Sequence, residues 1–321
     1  MSIDFKAEVA RSLDRIRSEI KRTPLEYSPT LSRLTGAQVY LKWENEQRTG
    51  SFKFRGALNK VRSLSPGEKK KGIVSASTGN HGLGISLASK IEGVMLTLVL
   101  PTNASKEKKR RLEESSSEII EYGEDCEKAE VWARRLALET DRIYISPYND
   151  KDIICGQGTL GLEIFEDLPD AEAVLVAVGG GGLIAGIAGY IKSSTIEIRI
   201  FGVEPANSAV MEASLRAGKL VEIEEEETLA DAVAGMIEPG SITFPLCQEF
   251  LEGIITVEEP LIRKAMRFLY EEHQQMVEGA GALPLAALLK ESAPFLSKKV
   301  VLVISGGNIS PRIFFQAVAD S

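Results

Sequence analysis

The stretch VAVGGGGLIAG, Val176 to Gly186, places four consecutive glycines where an apolar run ends and a helical pattern begins. A buried strand that delivers the chain through such a turn into a helix is a βα unit. Repeated βα units build parallel sheets covered by helices on both faces. The repetition is present. From Gly72 onward GIVSAS leads into GNHGLGISLASK, VMLTLVLP into SKEKKRRLEES, and SEIIEYG into a long helical pattern from Cys126 to Thr140. A second series runs through AVLVAVGGGG, a helix reaching Ile191, EIRIFGVEP and a last strand in VVLVISGGN. Two series predict two sheets: an α/β fold of two lobes, each a mostly parallel sheet flanked by helices. The smaller lobe is expected at residues 72–148, inserted into a larger one formed by 1–71 and 149–321. Ahead of both series, Val9, Leu13, Ile16 and Ile20 predict an amphipathic helix closed by Thr23-Pro24, and QVYLKWE, Gln38 to Glu44, alternates as a strand does.

Composition narrows the function classes. A chain of 321 residues with 44% hydrophobic and 26% charged residues is long enough for a large core. Its net charge of -8 argues against a general nucleic-acid surface, which would be basic. The first residues, MSIDFKAEVARSLDRIRSEIKRTP, do not read as a secretory signal, and no uninterrupted apolar span is long enough for a membrane, so a cytoplasmic protein is expected. Three dispersed cysteines, Cys126, Cys155 and Cys247, fit reduced thiols. Two histidines, His81 and His273, are too few and too isolated for a histidine metal centre or a Ser-His-Asp triad. The acidic run from Glu222 to Glu227 reads as a solvated loop.

Three strand ends carry chemistry. Gly179, Gly180, Gly181 and Gly182 let backbone amides approach a ligand, and the helix that follows adds free N–H groups and a favourable dipole, so the turn is a phosphate cradle. Its plainer alternative is a glycine turn for tight helix packing; the spacing is neither that of a P-loop nor that of a dinucleotide fingerprint. SASTGNHG, Ser75 to Gly82, offers three hydroxyls and an amide at a second strand-to-helix turn, where an elaborate helix cap is the competing reading. SGGN, Ser305 to Asn308, closes a third strand. None of these turns carries an obvious general base such as a histidine pair or a carboxylate dyad. The reactive candidate is Lys53 in GSFKFRG, set between Phe52 and Phe54, where desolvation would depress its pKa and make the amine nucleophilic toward a carbonyl. A phosphate cradle with an activated lysine points to a phosphorylated aldehyde held by that lysine, pyridoxal 5'-phosphate.

From about Ile20 to Ile309 the chain carries SFKFRGA, STGNHG, SPYNDKDIICGQGT, VGGGGLIAG, GVEPANS, VEGAGALPLAAL and SGGN in one order. In this ordered set it resembles the fold-type II pyridoxal phosphate enzymes of the threonine/serine dehydratase and serine racemase group, whose fold is tryptophan synthase β-like. The resemblance implies that Lys53 carries the cofactor, with Phe52 beside it. It further implies that Asn80 bonds the phenolic oxygen of the pyridine ring, that Gly179 to Gly182 with Leu183 hold the phosphate, and that Ser305 faces the ring nitrogen. Ser77, Thr78, Gly79, Asn80 and His81 then form the turn that receives the substrate carboxylate, although His81 is as readily a structural capping residue.

The expected activity is β-elimination from L-threonine or L-serine, giving a 2-oxo acid and ammonia. A serine racemase, or a dehydratase of another β-hydroxy amino acid such as 3-hydroxyaspartate, is the alternative within the group. A phosphometabolite-binding protein without catalysis is the alternative outside it. Thr78 bears on the choice, because relatives with racemase activity tend to have serine there and many dehydratases alanine. Other departures concern a metal and the substrate. The divalent-cation site of the group is matched by Glu204 and the Ser208 carbonyl, but Val210 stands where a carboxylate is usual, so any Mg2+ or Ca2+ site is expected to be weak. Ser146 replaces a common histidine and Ala232 a glycine, while Glu278 and Gln157 have no assigned role. The resemblance also implies a homodimer, with an amino acid and neither nucleic acid nor membrane as partner. Because the chain stops shortly after SGGN, feedback through an additional C-terminal domain is not expected.

Overall fold

The computed structural model describes residues 3–104, 109, 110, 112 and 118–319, and within these the strands are β1 (Leu25–Tyr27), β2 (Gln38–Lys42), β3 (Ile73–Ala76), β4 (Leu96–Leu100), β5 (Glu118–Glu121), β6 (Ile143–Tyr144), β7 (Ala173–Ala177), β8 (Arg199–Pro205), β9 (Gly253–Val257) and β10 (Lys299–Val303). They form two sheets: β1-β2-β10-β7-β8-β9 and β5-β4-β3-β6. Every pairing is parallel except that of β1 with β2. The fold is therefore α/β, two mostly parallel sheets flanked by helices.

Alternation along the strands sorts the core by face. In β10, Val300 and Leu302 join one cluster with Val39, Leu41 and Leu175, covered by the helices Glu259–His273 and Gly279–Lys290. Val301 and Val303 join the opposite cluster with Val174 and Val176, covered by the helices Phe5–Ile16, Lys151–Asp167 and Gly182–Ser194. The smaller sheet repeats the scheme. Ile73, Leu96 and Leu98 face the helices Lys53–Ser63 and Asn80–Glu92, while Val74 and Val99 face Cys126–Glu139 through Ala129, Ala133 and Ala137.

Parallel strands deliver their C-terminal ends to one edge, and that edge positions the site. β7 runs into Gly179–Gly182, and its neighbour β10 runs into Ser305–Asn308. β2, the other neighbour of β10, leads to the Lys53 segment, which is tied to the β10 turn by a bridge between Ser51 and Gly306 and by the Phe52 amide donating to the Ser305 carbonyl at 3.1 Å. The β3 end supplies Ser77–Gly79 from the other sheet.

Some elements differ from the sequence reading. The first helix ends at Ile16, so Ile20 lies past it in a turn, where it packs on the core of the smaller sheet. Strands β1, β6 and β9 are short or only half-buried and give little periodic signal. The helix expected from SKEKKRRLEES lies outside the described residues apart from Lys109, Arg110 and Leu112.

Candidate active site

Lys53 is the first residue of its helix, following Phe52 at the cap. Its Nζ donates to the Pro147 carbonyl at 2.9 Å and lies 5.2 Å from the centroid of the Phe52 ring. Burial pulls the amine from 10.5 down to about 8, with the carboxylates of Glu278 and Glu130 opposing the shift. One ring shields it, not two. Phe54 is fully buried in the smaller sheet's core, with the Arg48 guanidinium over its ring at 5.6 Å, because successive helix residues point about 100° apart. What fixes the helix is Arg55, fully buried, which donates to Glu44 at 2.7 and 2.9 Å and to Glu163 at 2.6 Å; Lys42 reaches the same Glu163 at 2.8 Å. The buried charges balance in pairs, which is the condition for tolerating them in a core.

In the β3 turn, the Ser77 hydroxyl accepts from the Gly79 amide at 3.2 Å. The Asn80 side chain donates to Glu278 Oε1 at 2.7 Å and accepts from Asn308 Nδ2 at 2.6 Å, so one amide links both sheets. His81 is buried with Nε2 3.0 Å from the Ser75 hydroxyl. That hydroxyl spends its proton on the Ile145 carbonyl at 2.7 Å, so it accepts from His81, which fixes the Nε2–H tautomer. Burial first, and then the Lys53 charge, hold the His81 pKa down to about 3; the ring is neutral at physiological pH, and its Nδ1 has no hydrogen-bond partner.

The glycine turn is built for close approach. Gly181 has φ +84°, which an L side chain rarely adopts, and a Cβ on Gly180 would stand 2.5 Å from the Tyr148 ring. The Gly180 carbonyl is engaged by the Thr243 hydroxyl at 2.6 Å, leaving the amide face of the turn to the cavity. Helix Gly182–Ser194 starts there, and its first-turn amides have no acceptor one turn back.

A cavity of about 1230 Å³ collects these parts. Phe52, Lys53, Ser77, Thr78, Gly79, Asn80 and His81 line it, as do Gly179 to Gly182, Leu183 and Ser305. Asn308 of the SGGN turn lines it as well, together with residues that sequence reasoning did not single out, namely Tyr148, Glu130, Arg134 and Glu238. Glu278 also belongs to the lining, and so does Ala232. Gln157 lies elsewhere, accepting from the Gly56 amide at 3.1 Å in a helix contact, and Ser146 accepts from the Asn149 amide at 3.0 Å.

Glu204 and Ser208 lie apart from the cavity. The two Glu204 oxygens accept from the Met211 and Glu212 amides at 2.9 and 2.8 Å, capping the helix Val210–Ala217, and burial pushes this carboxyl up to about 7. The Ser208 hydroxyl donates to Glu225. Among the described residues no group of three or more His, Cys, Asp or Glu side chains is placed to hold a metal ion. This donor set does not fit a divalent cation.

The cavity does fit pyridoxal phosphate. An amide cradle suits the phosphate, an amine of lowered pKa suits the aldehyde, and the turn packs directly against Val233 and the Tyr148 ring because Gly179 and Gly180 lack a Cβ. A family model described as pyridoxal-phosphate dependent enzyme matches residues 16–306. An L-threonine ammonia-lyase of Thermotoga maritima is 44% identical over 294 residues, 92% of this chain and 73% of that protein. A catabolic L-threonine dehydratase of Escherichia coli (strain K12) is 40% identical over 304 residues, covering 94% and 92% of the two chains. The structure of a maize serine racemase superposes with a TM-score of 0.91 at 32% identity, over 98% of this chain and 97% of that one. With the lysine of lowered pKa, the glycine turn and these relatives in agreement, the chain belongs to the pyridoxal-phosphate dependent enzyme family, and pyridoxal phosphate is its cofactor.

Proposed function

We propose that the protein is an ammonia-lyase that eliminates water from L-threonine and L-serine to give a 2-oxo acid and ammonia. The observation that carries the reading is the half-buried Lys53 amine, bonded to the Pro147 carbonyl at 2.9 Å and lowered to about 8, lining one cavity with the glycine turn. Relatives at 44% and 40% identity that bear the names L-threonine ammonia-lyase and L-threonine dehydratase support it.

Pyridoxal phosphate, when bound, supplies the electron sink that acidifies the substrate Cα–H. Lys53 Nζ takes that proton, and the electron pair left on Cα becomes the Cα–Cβ double bond as the β-hydroxyl departs with a proton as water. The enamine released hydrolyses to the oxo acid and ammonia. Amides and hydroxyls of Ser77 to Asn80 hold the substrate carboxylate, while neutral His81 supports the turn from behind through Ser75. Ser305 offers a neutral hydroxyl, which favours prompt loss of the β-substituent over long-lived carbanion chemistry.

Racemisation is the second reading, favoured by the Thr78 hydroxyl at the cavity wall. One assay tests both. Cofactor-loaded protein is incubated with L-serine and L-threonine, and 2-oxo acid and D-serine are quantified together. Oxo acid is expected to dominate, and Thr78→Ala is expected to keep elimination while removing any D-serine. Dominant D-serine would overturn the lyase reading.

The two strand–helix series support residues 72–148 as a domain inserted between 1–71 and 149–321, the resemblance supports a homodimer, and the N-terminal sequence supports a cytoplasmic location. Light scattering at twice the chain mass is the expected result for the dimer. No helix among the described residues is long and apolar enough to cross a membrane.

A further inference from the structure

One side of the cavity carries charges that the elimination does not use. Helix Cys126–Glu139 contributes Glu130 and Arg134 there, and the segment 231–240 contributes Glu238. Arg134 donates to Glu130 at 2.8 Å and also to Glu238, and its guanidinium lies 4.3 Å from the Tyr144 ring centroid. Tyr144 donates to the same Glu130 oxygen at 2.9 Å. The Glu238 amide donates to the Tyr148 hydroxyl at 2.9 Å, and the Tyr148 ring covers Gly180, so the cluster is fastened to the wall of the cradle. Glu130 lines the same cavity as the Lys53 amine.

The balance of charge around the cavity is acidic. Among the described lining residues, six carboxylates stand against three cations, Lys53, Arg134 and Lys219. Lys53 is committed to the cofactor and Lys219 is exposed to water. Arg134 is the part-buried cation left, and two carboxylates and an aromatic face already occupy it. A substrate whose Cβ bears a hydrogen or a methyl group meets no penalty here. One whose Cβ bears a second carboxylate must lose its water beside Glu130 with no free counter-charge, an arrangement that discriminates by repulsion.

We propose that Glu130, Arg134 and Glu238 form a specificity filter that admits β-hydroxy amino acids with uncharged side chains and rejects those with a second carboxylate. This inference rests on the lyase reading above and names its substrate class. It assigns the three residues a selective role and none in the chemistry.

Oxo-acid formation from L-serine and from 3-hydroxy-L-aspartate is measured for the wild type, Glu238→Gln, Glu130→Gln and Glu238→Asp. In the wild type, kcat/KM for serine is expected to exceed that for 3-hydroxyaspartate by on the order of 100-fold. Either Gln variant, by removing one negative charge beside Arg134 and so leaving its cation less neutralised, is expected to raise the 3-hydroxyaspartate-to-serine ratio about ten-fold, mainly through KM. Glu238→Asp keeps the charge and is expected to keep the wild-type ratio. A wild type that uses both substrates equally, or a ratio unmoved in both Gln variants, overturns the filter. Binding without turnover is read in parallel from the change in cofactor absorbance with L-aspartate and with L-alanine. Preference for alanine that narrows in Glu238→Gln supports the filter, and equal affinities overturn it, even if a total lack of oxo acid from serine and threonine has removed the lyase reading.

Discussion

The lowered proton affinity of Lys53 comes first from burial. As the first residue of Lys53–Ser63 its side chain also leaves the helix at the end where free amides make a positive potential, which works in the same direction. The unfolded lysine titrates near 10.5 and the folded one near 8, so between these values the unfolded chain binds more protons. The charged amine therefore weakens the ligand-free fold below about pH 8, and that cost vanishes as pH rises through 10.5. The proposed attachment of pyridoxal phosphate to Lys53 needs the neutral amine. Its rate in stopped-flow absorbance is expected to rise about ten-fold per pH unit and level off near pH 8, whereas a solvated lysine would carry the rise beyond pH 10. His81, neutral at these pH values, adds no limb of its own. The flanking rings marked Lys53 in the sequence, yet they misreported the shield, because adjacency along a helix is not adjacency in space. The Glu130, Arg134 and Glu238 cluster was illegible for the converse reason: each is an ordinary charged residue in its own segment, and only tertiary placement brings them to one wall.

At the scale of elements, the site depends on helices held closer than side chains normally allow. Helices Lys151–Asp167 and Gly182–Ser194 cross at glycines, where a Cβ on Gly186 would come 2.3 Å from the Ile154 carbonyl oxygen. Since the second helix begins at the glycine turn proposed to hold the phosphate, Gly186→Ala is expected to lower thermal stability and weaken cofactor affinity together. The Lys53 helix is held instead by charge. Replacing Arg55 with Met leaves Glu44 and Glu163 buried with a single cation, Lys42, and is expected to lower stability by about 3–5 kcal/mol in urea titrations of the cofactor-loaded protein. A loss under about 1 kcal/mol would mean that water or rearrangement compensates the carboxylates. The long buried strands and the glycine turns were legible because apolar runs and consecutive glycines have few other uses. Strand order was not, since β2 pairs with β10 across most of the chain, and nothing local in QVYLKWE encodes that partner.

The whole molecule is two sheets with their own cores that meet at one cavity. Asn80 from the smaller sheet's side bonds Glu278 and Asn308 from the larger, and Arg134 bonds Glu238 across the same divide. A ligand held by both walls binds only the state in which both sheets are folded, so its binding free energy stabilises both. The chain contains a reporter for each side. Its two tryptophans are Trp43, buried in the core of the larger sheet, and Trp132, stacked on Tyr122 at 4.7 Å beside the smaller one. In Trp132→Phe the remaining fluorescence follows the larger sheet, and in Trp43→Phe it follows the smaller. With free pyridoxal phosphate at about 100 times its dissociation constant, both transitions are expected to move upward together by the equivalent of about 2.7 kcal/mol. A shift confined to Trp43 would mean that the glycine cradle and Lys53 hold the cofactor alone. The smaller sheet would then open and close as an independent unit over a cofactor already bound.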